Sequence, residues 1–173
     1  MEAAREEPAV SLRRLEASPQ DAATIVGWFP SRRDAVWWGG PTVPDPLMAD
    51  WLAEQIAAGF FWVWTDQNNA VKAVAGLKPV DGSAYLNRFG MAPVQRGRGL
   101  SAQLMAELIA IAQARGDTAM TLWVYGSNRA ARRVYDRWGF QIVDQREAPE
   151  DASGVSLKMR LELAPNGSVS TPP

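Results

Sequence analysis

The sequence predicts an α/β (α+β) chain of seven strands and four helices, on three observations. Between Phe60 and Met91, apolar residues alternate with a period of two between turn signals, which is strand spacing. From Gly99 to Arg115 they recur every three or four positions, which is helix spacing. The two patterns are interleaved along the chain, in the order β-α-α-β-β-β-α-β-α-β-β.

Taken in order, Val10 to Ala17 reads as a strand with Val10 and Leu12 on one face. Ser18-Pro19 opens a helix through Trp28, because serine caps and proline suits a first turn. Phe29 to Pro46 holds Pro30, Pro41, Pro44, Pro46 and a Gly-Gly pair, and reads as a long irregular segment. A second helix covers Leu47 to Ala58, and Gly59 stops it. Phe60 to Thr65 is a strand, followed by turn chemistry at Asp66-Gln67-Asn68-Asn69. Ala70 to Val80 sets Val71, Ala73, Ala75 and Leu77 on one face; Asp81-Gly82 turns the chain into Ala84 to Met91, and Pro93 ends that strand.

Gly99 to Arg115 is the clearest helix, with Leu100, Leu104, Leu108, Ile111 and Ala112 as its stripe and Gly116 at its C-terminal cap. Met120 to Tyr125 is a strand. Asn128 caps a helix through Trp138, which Gly139 ends, and Phe140 to Gln145 and Val155 to Leu163 complete the strands. The ends, residues 1–9 and 164–173, lack an apolar pattern and are expected to be loose, with the tail disordered. Residues 10–163 form one domain. A chain of 173 residues buries roughly 70% of its unfolded surface without staples.

Composition narrows the chemistry. There is no cysteine, so disulfides, thiolate nucleophiles and cysteine zinc sites are excluded. There is no histidine, which removes the Ser-His-Asp triad and the commonest neutral-pH base. No metal is expected. A formal net charge of -1 gives no pull toward nucleic acid. No apolar run approaches the ~20 residues of a membrane span, and the start is not a signal peptide, so a cytoplasmic location and no membrane partner are expected.

The segment Arg96-Gly97-Arg98-Gly99-Leu100-Ser101 joins a strand to a helix. Glycines let the backbone turn sharply and expose its amides, and the helix N-terminus beyond adds a partial positive charge. That combination suits a pyrophosphate. A tight turn that binds nothing is the other reading. A P-loop would need Gly-Lys-Ser/Thr, and a dinucleotide fingerprint would need a third glycine with a downstream acid.

Downstream, Asn128 is followed by Ala131, Tyr135 and Gly139-Phe140. These two blocks together resemble the GNAT superfamily of acetyl-CoA-dependent N-acetyltransferases. The first resembles the donor motif Arg/Gln-x-x-Gly-x-Gly/Ala, with Ser101 at the last small position; the second matches Asn-x-x-Ala-x-x-x-Tyr-x-x-x-Gly-Phe with its spacing intact. The likeness is strongest from Ala84 to Val143. It implies a central, mixed, mostly antiparallel twisted sheet of six to seven strands flanked by about four helices.

The resemblance also implies a site. Acetyl-CoA would be held by Arg96, Gly97, Arg98, Gly99, Leu100 and Ser101, by the Phe89 and Met91 backbones, and by Asn128. The strand before the donor motif would carry a bulge, for which Gly90 is suited. Tyr135 would act as general acid toward the departing thiolate; its other reading is a packed core tyrosine. Trp123 stands where some relatives carry a glutamate base, leaving either a carboxylate such as Asp34 or Asp45 acting through water, or an amine that arrives neutral. Trp37 and Trp38 are open to two readings, an aromatic wall for the acceptor amine or simple packing. Arg129, Arg132, Arg133 and Arg137 read as a solvated face that could also meet CoA phosphate. The expected activity is N-acetyl transfer to a primary amine of a small molecule or peptide by direct attack, in a monomer or homodimer. A noncatalytic acyl-CoA-binding sensor of the same fold is the alternative.

Overall fold

The computed structural model describes residues 12–150, 152 and 154–165. The expected loose ends therefore lie almost wholly outside the described residues. Seven strands form one sheet: β1 (Arg13–Glu16), β2 (Phe61–Thr65), β3 (Val71–Val80), β4 (Ser83–Met91), β5 (Ala119–Tyr125), β6 (Gln141–Glu147) and β7 (Val155–Glu162). Their order is β1-β2-β3-β4-β5-β7-β6, and only the β4–β5 pair is parallel. The mixed, mostly antiparallel sheet is the one expected.

Among the described residues five α-helices flank it: α1 (Ala22–Val26), α2 (Arg32–Gly39), α3 (Ala49–Ala57), α4 (Leu100–Arg115) and α5 (Arg129–Arg137). Strand alternation sends side chains to two cores. On one face Trp64, Ala73, Ala75 and Leu77 meet Leu104, Met105 and Leu108 of α4. On the other Val63 and Val74 meet Ile25, Val36 and Leu52 of α1, α2 and α3.

The structure corrects the sequence in several places. The segment from Phe29 to Pro46 is not irregular throughout, because α2 occupies its middle. Its prolines lie outside a clear window, with Pro30 just before the cap and Pro41 just after the end. Ser31 Oγ accepts from the Asp34 amide at 3.0 Å to start the helix, and Gly40 at φ 86° ends it. The first helix is shorter than expected. It opens with a 3-10 turn, Pro19–Asp21, and closes with Trp28 and Phe29 donating to Ile25 and Val26, three residues back.

Val71 does not share a face with Ala73, because Lys72 is an extra residue between the Trp64–Ala73 and Thr65–Val71 pairs. It packs instead toward the helices α1 to α3. The α4 stripe includes Met105 and Ile109, while Leu100 and Ile111 are only half-buried.

Candidate donor and acceptor site

Two strands that part company create the central feature. β4 and β5 pair only at Ala84–Met120 and Tyr85–Thr121, and β5 is paired along its whole length to β7. From Leu86 onward, β4 therefore presents an unpaired edge. Ala92 N donates to Lys72 O at 2.9 Å, so alternation turns the Met91 amide and carbonyl away from β3, toward the gap. Phe89 and Met91 are half-buried there against the larger core.

The bulge lies in this strand, two residues earlier than expected. Val74 pairs with Gly90 and Gly76 with Asn87, so Arg88 and Phe89 together face Ala75. Arg88 takes the left-handed turn, at φ 47°. Gly90 serves close packing instead. A Cβ there would lie 2.9 Å from Phe29 Cζ and from the Trp38 ring.

After β4 the chain makes a 3-10 turn, Pro93–Gln95, and reaches α4 through Gly97 and Gly99, both at φ 75°. A Cβ at either glycine would meet nothing within 4 Å, so the surface over these amides is open. The first-turn amides at Leu100 and Ser101 have no intrahelical acceptor and face that opening with the positive end of a 16-residue helix. Arg96 is a brace: its Nε donates to Met91 O at 3.2 Å and an Nη to Trp28 O at 3.1 Å, with Phe29 beneath the guanidinium. Arg98 is exposed.

On α5, Asn128 Oδ1 accepts from the Ala131 amide at 3.2 Å, so the expected cap is present. Tyr135 is buried and meets Phe140 edge-on at 5.6 Å. Burial pushes its pKa up, with no charge or hydrogen bond opposing it. Its hydroxyl therefore stays protonated, the form a proton donor needs. In the arginine run, Arg129, Arg133 and Arg137 are exposed, whereas Arg132 is half-buried with Nε unpartnered.

A cavity of about 760 Å³ opens beside the bulge. Trp37, Tyr85, Arg88, Trp123 and Arg146 are among its walls. Trp37 and Trp38 both line it, from a helix and not the expected loop. They divide the two readings. Trp38 is buried, stacks on Phe29 at 4.5 Å and hydrogen-bonds the Arg88 carbonyl, which is packing; Trp37 is half-buried with Arg33 4.4 Å from its ring, and its Nε1 has no partner. Neither Asp34 nor Asp45 reaches the cavity. Asp34 is exposed and accepts from Ser31 Oγ at the start of α2.

Sequence reading missed Tyr85, Arg88 and Arg146. Tyr85 and Arg88 sit on a strand read for its backbone, and Arg146 sits on an edge strand about twenty residues past Trp123. Only the fold joins them. Among the described residues no cluster of acids could hold a metal ion, and no helix is long and apolar enough to cross a membrane.

Residues 26–140 match the model of the acetyltransferase (GNAT) family. The chain is 27% identical over 93 residues to an uncharacterized N-acetyltransferase, YycN, of Bacillus subtilis (strain 168), covering 54% of this chain and 53% of that relative. The chain thus spans about half the length of that curated relative. Among solved structures, a putative phosphinothricin N-acetyltransferase superposes with a TM-score of 0.74 at 19% identity, covering 89% of this chain and 99% of that one. The spermidine N-acetyltransferase from Vibrio cholerae, in complex with CoA and spermine, superposes with a TM-score of 0.70 at 16% identity, covering 88% and 95%. At those identities the likeness is one of fold.

Proposed function

Because the chain belongs to the acetyltransferase (GNAT) family, we propose that it transfers an acetyl group from acetyl-CoA to a primary amine of a small molecule or peptide by direct attack. One observation carries this reading. The unpaired edge of β4 leads straight into the Gly97–Gly99 turn and the N-terminus of α4. A strand edge that accepts amide hydrogen bonds thereby adjoins an anion site, which is the pairing a pantetheine arm and a pyrophosphate require.

Acetyl-CoA supplies an activated acyl thioester. On this chain, the Gly97 to Ser101 backbone binds phosphate, and the Met91 amide binds the arm while Arg96 holds the Met91 carbonyl. Phe89 shares that stretch. Asn128 adds a side-chain contact while capping α5. Tyr135 donates a proton to the departing sulfur. A phenol of raised pKa gives up its proton only to a base close against it, so Tyr135 acts through a short hydrogen bond and not as a free acid.

No carboxylate or histidine lines the acceptor cavity. The amine is therefore drawn from its neutral fraction, and activity rises with pH toward the pKa of the acceptor. The expected setting is cytoplasmic, as a monomer or homodimer. A noncatalytic acyl-CoA sensor would share the donor site but leave the cavity without a substrate. Release of CoA thiol against a panel of primary amines separates the two. Acetyl-CoA binding with turnover of at least one amine supports the enzyme, and binding without turnover of any amine supports the sensor.

A further inference from the structure

The wall of the acceptor cavity is basic, and two acids, Glu147 and Glu150, line a smaller adjoining pocket that also borders Arg146. Arg88, Arg146 and Lys78 line the acceptor cavity itself, whereas no Asp or Glu does. The ion pairs among the described residues lie elsewhere and leave Arg88 and Arg146 without a carboxylate. Each guanidinium is held by aromatic faces instead. That of Arg88 lies 5.1 Å from the Trp51 ring and 5.8 Å from the Phe61 ring, and that of Arg146 lies 4.1 Å from the Trp123 ring. An aromatic face fixes a cation in place without cancelling its charge. Arg88 and Arg146 line the same cavity as the half-buried Tyr85, whose hydroxyl feels both charges.

The placement of Arg88 is costly without a ligand. Arg88 is substantially desolvated, and its Nε is buried with no partner. Two positive charges near one phenol also repel each other. Donor phosphate does not answer the need, because Arg88 lies roughly 10 Å along β4 from Met91 and the glycine turn lies beyond it. A polyamine would add charge of the wrong sign.

We propose that the acceptor is a small amine that also carries an oxyanion, a free amino acid or close analogue, with its carboxylate bound by Arg88 and Arg146 and its amino group toward the bulge at Arg88 and Phe89. This rests on the amine-acetylation reading and narrows its substrate. The two arginines act by binding and orientation; the anion remains unchanged while the neutral nitrogen forms the C–N bond to the acetyl carbon and loses a proton to solvent, and the thioester C–S bond breaks so that CoA leaves as the thiol, its sulfur protonated through Tyr135.

The test compares kcat/KM for free amino acids, their carboxamides and spermidine, with acetyl-CoA saturating. The expected result is a preference of at least about tenfold for the acids over the amides, the worth of a charge-assisted contact. Spermidine should be a poor acceptor. Arg146→Gln, at an exposed position that does not endanger the fold, should collapse the preference mainly through KM, and Arg88→Gln should do the same. As a readout independent of turnover, N-acetyl amino acids should raise the melting temperature of the CoA-bound protein, and Arg146→Gln should abolish that rise. Equal use of amides or spermidine overturns the proposal, as does a preference that survives both substitutions. If another primary amine is acetylated but no amino acid is, the proposal fails and the acetylation reading stands; if acetyl-CoA binds and no amine is acetylated, both give way to the sensor. If acetyl-CoA does not stabilise the chain, both fail.

Discussion

Trp38 Nε1 donates to the carbonyl of Arg88 at 2.9 Å, which ties helix α2 to the one left-handed residue in β4. A left-handed arginine is strained, and strain persists only where its surroundings over-determine it. Here the indole supplies that constraint, with Phe29 stacked against it at 4.5 Å. The bulge it holds lies where β4 parts from β5, with Phe89 and Met91 beside the proposed donor gap and Arg88 in the wall of the proposed acceptor cavity.

Trp38→Phe keeps most of the packing and removes the hydrogen bond. It should cost about 1–2 kcal/mol, whereas Trp38→Ala should cost about 3–5 kcal/mol. Urea unfolding measures both. The phenylalanine variant should lose activity beyond what its stability explains, because the bulge loosens. An unchanged kcat/KM in Trp38→Phe would show that the bulge does not depend on this contact.

Gly90→Ala tests the other side of the same contact. The added Cβ would lie 2.9 Å from Phe29 Cζ and from two Trp38 ring atoms, tighter than packed atoms tolerate. Two stacked, buried rings cannot yield freely, so the variant should be destabilised by about 1–3 kcal/mol. A variant as stable as the parent would mean that α2 moves without cost.

Much of this was legible in the sequence, for identifiable reasons. Period-two and helical spacings located the strands and α4, and the two glycine-bearing blocks pointed to the family and to the donor site proposed here. The sequence hid what depends on approach in space. Nothing local distinguishes Gly90, which is required by two rings from distant parts of the chain, Phe29 after α1 and Trp38 on α2, from a glycine that bulges. Proline density masked α2, because the prolines flank a proline-free window. The Arg88–Tyr85–Arg146 grouping joins β4 to β6, which is set by sheet order and not by spacing.

Tyr135→Phe should leave stability near neutral pH almost unchanged and reduce kcat roughly tenfold to a hundredfold, while acetyl-CoA affinity is retained. The hydroxyl also leaves a pH signature. Its folded pKa is raised by burial, so in the folded state the phenol stays neutral while the unfolded chain ionises above about 10. The contribution to stability is complete below that pH and is lost as pH rises beyond it. Denaturation between pH 9 and 11 should therefore show the parent losing stability more steeply than Tyr135→Phe. An unchanged kcat would remove Tyr135 from the chemistry.

Calorimetric titration with acetyl-CoA, comparing the parent with Gly99→Val, tests the donor site most directly. Gly99 stands at φ 75°, where a β-branched residue is strained, and it precedes the amides that would receive phosphate. The parent should bind one equivalent of acetyl-CoA, and the variant should bind at least about tenfold more weakly while remaining folded by circular dichroism. Absence of binding by the parent, or equal binding by a folded variant, would contradict the account.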